Sequence, residues 1–92
     1  MIESFACEDT RNLFIGERVA RFVNIQTTAI RKLQQLHAAQ TLSFLRKPPG
    51  NRLEPLQGDL KGYYSIRIND QWRLGFLWVE GSVHQVQIID YH

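Results

Sequence analysis

The sequence predicts an α+β fold, with helices from the first half of the chain packed on one face of a small, mostly antiparallel sheet from the second half. Three observations predict it. Apolar residues recur at helical spacing between Ile25 and Ala39, apolar and polar residues alternate between Tyr64 and Trp78, and Lys47-Pro48-Pro49-Gly50-Asn51 separates the two patterns as a hinge. At 92 residues and 43% hydrophobic, the chain is expected to form one domain over 1–92 with one core.

The elements follow in chain order. Ile2, Ser4 and Ala6 alternate with Glu3 and Phe5, which predicts a short strand. Asp9 or Thr10 is placed to cap a helix that runs through Phe14 and ends at Gly16. From Asn24, the residues Ile25, Ala29, Ile30, Leu33, Leu36 and Ala39 form an apolar stripe, with Arg31, Lys32, Gln34 and Gln35 on the opposite side. His37, near the end of this helix, is placed to oppose the helix dipole. Thr41 to Leu45 adds a helical turn before Pro48, because a residue preceding proline avoids the helical region. Leu53 to Gly58 reads as a further strand segment. Cys7, the single cysteine, reads as a small half-buried residue rather than a nucleophile.

The hairpin register follows from parity. Tyr64, Ile66 and Ile68 share one face of a strand, and Trp72, Leu74, Phe76 and Trp78 share one face of the next. A two-residue turn would set the apolar face of one strand against the polar face of the other. A three-residue turn, Asn69-Asp70-Gln71, instead pairs Ile68 with Trp72, Ile66 with Leu74 and Tyr64 with Phe76, and calls for a left-handed residue. Arg67 and Arg73 then stand opposite each other on the other face, which is expected to face solvent. Like charges directly opposite are destabilising, so the pair calls for a phosphate or for a carboxylate from Glu54, Asp59 or Asp90. After a three-residue loop at Glu80-Gly81-Ser82, Val86 and Ile88 lie behind Phe76 and Leu74, and Tyr91 falls near Gln71 and Arg73.

Charge narrows the function classes only a little. The formal charge is +2; residues 1–50 hold seven basic and four acidic side chains, and the rest hold four basic and five acidic. Any phosphate binding must come from placed arginines rather than a general basic field. No apolar run approaches the ~20 residues that span a bilayer, and no basic, apolar leader opens the chain. A lone cysteine fits a reducing cytoplasm. The three histidines, His37, His84 and His92, and Cys7 lack metal-ligand spacing, so no metal or cofactor is expected.

The run Tyr64-Ser65-Ile66-Arg67-Ile68-Asn69-Asp70-Gln71-Trp72-Arg73 and the terminal Asp90-Tyr91-His92 resemble the HigB-type (host inhibition of growth, "killer protein") toxins of the RelE/ParE superfamily. Pro49-Gly50-Asn51-Arg52-Leu53 and Gly58-Asp59-Leu60-Lys61-Gly62 extend the likeness over nearly the whole chain. The resemblance implies a RelE/ParE-like fold and the toxin of a type II toxin–antitoxin system, a metal-independent endoribonuclease that cuts mRNA on the ribosome. It implies as partners a HigA-type helix-turn-helix antitoxin, the ribosome and mRNA, with operator DNA engaged only through the antitoxin and no membrane. Arg73 takes the scissile phosphate, and Glu54, Asp90, Tyr91 and His92 join it as catalytic candidates. Arg67, Gln57, Lys61 and Gln71 are the RNA-binding candidates.

In the implied reaction the ribose 2′-hydroxyl attacks the adjacent phosphorus and the 5′-oxygen leaves, which requires a base, an acid and charge stabilisation. Glu54 or Asp90 is the candidate base and His92 the candidate acid; Tyr91 would stack on or orient a nucleobase. Many toxins of this type carry His where Glu54 stands and Lys where Gln57 stands. Those departures are the main support for one alternative, a nucleic-acid-binding regulator with weakened activity; a second, a non-catalytic toxin of the superfamily that binds a protein target such as gyrase, is opposed by the Asp90-Tyr91-His92 terminus.

Overall fold

The alternation in the second half is realised as three strands wound antiparallel, and the rest of the chain is organised around them. The computed structural model describes residues 1–56, 58 and 61–90. A short β1 (Glu54–Pro55), then β2 (Tyr63–Arg67), β3 (Trp72–Val79) and β4 (Ser82–Asp90), form one sheet in the order β1-β2-β3-β4, with antiparallel neighbours throughout. The predicted hairpin register holds: Tyr64 pairs with Phe76, Ile66 with Leu74 and Arg67 with Arg73. The Ile68 N–H donates to the Trp72 carbonyl at 2.9 Å, which leaves Asn69-Asp70-Gln71 as the turn. No left-handed residue is used there, because Asn69 Oδ1 accepts the N–H groups of Gln71 at 2.9 Å and Trp72 at 2.8 Å. The side chain does the work that a positive φ would otherwise do.

The second hairpin differs from the expectation. Val79 pairs with Ser82, so the loop is the two residues Glu80 and Gly81, at φ 46° and 84°. Positive φ at both central residues matches the right-handed twist of the flanking strands. A two-residue loop would leave Val86 out of register with Phe76, and a bulge corrects this. The register slips between Gly75 and Leu77, where Gln85 takes φ 55°. Val83 and Val86, which an unbroken strand would point to opposite faces, are therefore both fully buried. Gly75 still pairs with Gln87 and Leu74 with Ile88, so the predicted parity survives beyond the bulge.

The N-terminal segment lies parallel to β4 through two isolated bridges, Ile2 with Val83 and Phe5 with Val86, rather than as a continuous strand. The bulge explains the break, since Gln85 N–H turns to Ser4 Oγ at 3.0 Å. Next along this edge, Thr10 Oγ1 accepts the Ile88 N–H at 3.0 Å. Thr10 thus completes the sheet edge instead of capping its own helix, α1 (Glu8–Phe14), whose N-cap is Cys7. Burial alone would raise the half-buried Cys7 thiol pKa; hydrogen bonds from Thr10 and the Thr10 and Asp9 backbone, with the Arg21 charge, bring it below the usual value.

The long helix α2 (Gln26–Ala38) and the short α3 (Leu42–Arg46), capped by Thr41 Oγ1, complete the helical layer. Leu13, Phe22, Leu33, Leu36 and Leu45 meet Ile66, Leu74, Phe76, Val83 and Val86 in one core, all fully buried. Trp72 closes it edge-on against Phe22 at 5.5 Å between ring centres. His37 departs from its predicted role: its Nδ1 accepts the Ile2 N–H at 3.1 Å and its ring packs on Phe14. Lys32 is likewise buried rather than on the outer side of α2, because positions 29, 32, 33 and 36 are the inward i, i+3, i+4, i+7 set. No helix of the described residues is long and apolar enough to cross a membrane.

The edge assignment gives a stability prediction. Thr10→Val keeps the volume and removes the acceptor for a buried N–H, so it should lower the unfolding free energy by about 1–3 kcal/mol in urea denaturation. An unchanged midpoint and slope would show that the Ile88 N–H finds another acceptor.

Candidate active site

Arg73 is the centre of the sheet face turned away from the helices, and it is only 7% exposed. The sequence expectation of a solvent-facing Arg73 is corrected here. The face is right, but residues 52–56 fold over it. A Cβ placed on Gly75, Arg73's neighbour on that face, would lie 3.5 Å from Ile89 Cδ1 and 4.0 Å from Leu56 Cδ1, so both side chains lie over Gly75. A guanidinium this buried must be hydrogen-bonded to be tolerated. Arg73 Nε donates to Ser65 Oγ at 2.7 Å, and Nη2 donates to the carbonyls of Arg52 at 2.6 Å and Ser65 at 3.2 Å. Arg52 adopts φ 44° and ψ 58°, a left-handed conformation that accompanies the inward turn of its carbonyl.

Glu54 pairs with Ser65 across β1 and β2 and so shares the Arg73 face. Its Oε2 lies 4.0 Å from Arg73 Nη2, at the limit of an ion pair, and its side chain is 54% exposed. The expected carboxylate counter-ion and candidate proton acceptor is thus beside the guanidinium. Arg67, directly opposite Arg73, is more accessible at 31% side-chain exposure and pairs with the fully exposed Asp70. Solvent screens that pair strongly.

The Asn69-Asp70-Gln71 turn brings two further candidates together. Gln71 Nε2 donates to Asp90 Oδ2 at 3.3 Å, and Asp90 lies one residue beyond Ile89, the partner of Arg73. Lys61 is at the other end of the hairpin, where the Gly62 carbonyl accepts the Trp78 N–H at 3.0 Å. Five residues separate Gly62 from Arg67, roughly 17 Å along a strand. The candidates Gln57, Tyr91 and His92, with Asp59, lie outside the described residues.

Behind the site is a polar group that the sequence reading did not assign to it. Asn51 is fully buried; its Oδ1 accepts from Lys32 Nζ, and its Nδ2 donates to Gln35 Oε1 at 2.7 Å and the Leu45 carbonyl at 3.0 Å. Burial, then Arg31 and Arg67, push the Lys32 pKa below its ordinary 10.5. Lys32 could have been found from its place on the inward stripe of α2. Ser65 and the Arg52 carbonyl carried no comparable signal, since one is a common small residue and the other is backbone. Chemically, the arrangement offers two arginines, one fixed and one accessible, with Glu54 on the same face and an acid-amide pair at the adjoining turn.

Residues 7–92 match the family model described as HigB-like toxin, the RelE-like toxin of the type II toxin-antitoxin system HigB. Among curated proteins the chain is similar to Toxin HigB-1 of Vibrio cholerae, 48% identical over 80 residues that cover 87% of this chain and 78% of that protein. It is also similar to Endoribonuclease HigB of Proteus vulgaris, 39% identical over 41 residues, 45% of each chain. Among solved structures, a YafQ mutant from E. coli superposes with a TM-score of 0.58 at 18% identity, covering 98% of this chain and 91% of that one. At that identity the last likeness speaks for the fold, and it agrees with helices on a mostly antiparallel sheet.

The buried ammonium generates a pH prediction. The folded state binds the Lys32 proton less tightly than the unfolded chain, so between the lowered value and 10.5 unfolding takes up protons and stability rises with pH. Urea denaturation from neutral pH to about pH 10.5 should therefore show the unfolding free energy of the wild type rising relative to that of Lys32→Met. A constant difference would mean that Lys32 is as well solvated folded as unfolded.

Proposed function

The chain belongs to the RelE-like HigB toxins of type II toxin–antitoxin systems, and from that premise we propose that it is an mRNA endonuclease acting on the translating ribosome. As a type II toxin it has an antitoxin partner; we propose a HigA-type helix-turn-helix protein, with operator DNA reached only through it, and a cytoplasmic site of action. The observation that carries the catalytic reading is the placement of Arg73. Its guanidinium is fixed by Ser65 and two carbonyls, directly opposite Arg67 and 4.0 Å from Glu54.

In the proposed reaction a base takes the proton of the ribose 2′-hydroxyl, the 2′-oxygen bonds to the adjacent phosphorus, and the bond from phosphorus to the 5′-oxygen breaks. An acid protonates that leaving oxygen. The products are a 2′,3′-cyclic phosphate and a free 5′-hydroxyl. Glu54, whose Oε2 lies 4.0 Å from Arg73 Nη2, is one proposed base, with Asp90 as the other. His92 is the proposed acid, and Tyr91 orients a nucleobase. Arg73 supplies positive charge that does not reorganise as the phosphorane gains negative charge, while the more accessible Arg67 contacts the phosphate as it arrives. Gln71, Gln57 and Lys61 are proposed RNA contacts, with Lys61 serving a stretch of strand distant from the scissile bond.

The ribosome enters by an electrostatic argument. Residues 51–92 hold four basic and five acidic side chains, so this half has no field with which to gather flexible RNA. Positioning by the ribosome would supply the missing orientation.

The test is cleavage by purified toxin of mRNA on programmed ribosomes and of the same RNA alone. Efficient cleavage is expected only in the first case. Arg73→Ala should lower that rate by about 10²–10³. Because it also strands the acceptors on Ser65 and Arg52, its folding must be checked by circular dichroism. Wild-type cleavage by folded Arg73→Ala would remove the phosphate assignment and pass the charge stabilisation to another group; absence of cleavage by the wild type under both conditions would instead favour the non-catalytic binding reading.

A further inference from the structure

Arg73 is set by a carbonyl that belongs to an improbable backbone conformation. Arg52 is an L-residue at φ 44°, a region that non-glycine residues hold only when their surroundings over-determine it. On one side the chain is fixed by β1, where Glu54 pairs with Ser65. On the other side it is fixed by Asn51, whose fully buried side chain is bound by Lys32, Gln35 and the Leu45 carbonyl. The choice of residue has a reason. The position needs an acceptor facing an ammonium and two donors facing oxygens, and a primary amide supplies both within one short side chain.

Lys32 and Gln35 lie on α2, the longest helix, whose inward stripe is in the core. A continuous series of contacts therefore runs from the core helix to the guanidinium: Lys32 to Asn51, along one peptide to the Arg52 carbonyl, and from there at 2.6 Å to Arg73 Nη2. We propose that Asn51, held by Lys32, is a positioning residue for Arg73, acting through the left-handed Arg52 carbonyl and touching no substrate itself. Buried polar networks of this kind rigidify what they hold when every member is satisfied, and no buried side-chain N or O among the described residues is left without a partner. The proposal rests on Arg73 as the phosphate-facing charge for its catalytic consequence, but the positioning itself can be measured separately.

The experiment uses the full chain and two readouts. The first is solvent exchange of the Arg73 Nε–H proton by NMR, assigned by its absence in Arg73→Lys; its hydrogen bond to Ser65 Oγ at 2.7 Å should make it slow in the wild type. The second is kcat and KM for mRNA on programmed ribosomes. In Asn51→Ala the Arg73 proton should exchange at least about tenfold faster while the β3 backbone amides keep their protection, and kcat should fall by about 10- to 100-fold with KM little changed. Should Asn51→Ala fail to fold, Lys32→Met is judged by the same readouts. It retains the apolar stem and removes only the donor to Asn51. Unchanged Arg73 exchange in a folded variant overturns the proposal, whatever the activity. Faster exchange with wild-type cleavage upholds the positioning and instead removes Arg73 from the chemistry.

Discussion

The structure depends on how a nearly buried guanidinium is held. Moving an arginine out of water costs several kcal/mol unless its donors are met, and a close carboxylate partner would cancel the charge that a phosphate site needs. Here Arg73 donates to a hydroxyl and two carbonyls, and the Glu54 carboxylate lies 4.0 Å away. Hydrogen bonds to neutral acceptors orient the guanidinium without themselves neutralising it. The hydrogen bonds of Arg73 account for two other features of the fold: a small Ser65 on β2 and a left-handed Arg52 that turns its carbonyl inward.

The same sheet shows how much of a fold parity can reveal. Side chains alternate with period two, so the apolar sets of β2 and β3 admitted one turn length, and the facing Arg67 and Arg73 followed from it. The β4 strand was only half legible by this route. Val83 and Val86 are three apart and cannot share a face of a regular strand, a contradiction visible in the sequence that a bulge at Gln85 resolves. Loop length and bulge are coupled, since a two-residue loop plus one extra residue reaches the register that a three-residue loop would have reached directly. Alternation fixes the end result and leaves the route open.

For the site, the legible residues were those whose charge or family likeness singled them out: Arg67, Arg73, Glu54, Gln71 and Asp90 gather at one end of the sheet. The residues that hold Arg73 were harder to read for a physical reason. A carbonyl has no residue identity, and a buried Asn51 looks in sequence like any turn-forming asparagine after Pro-Pro-Gly. The charge of Lys32 points to the outer side of α2, and its helical phase points inward. The helical phase prevailed, since Asn51 gives the ammonium a buried acceptor and the inward face of α2 at that height is polar.

These choices bear on a toxin's dependence on its surroundings. Concentrating fixed charge in a few placed arginines, with the sheet half close to electroneutral, gives little long-range attraction for RNA. It gives strong local stabilisation once a phosphate is delivered, because preorganised charge in a water-poor setting needs no rearrangement. In the proposed reaction, selectivity would reside in whatever brings the backbone to Arg67 and Arg73 in the right orientation. A strongly basic surface would bind RNA without discrimination; in the proposed reaction a buried arginine beside an accessible one would act on a substrate already held in place.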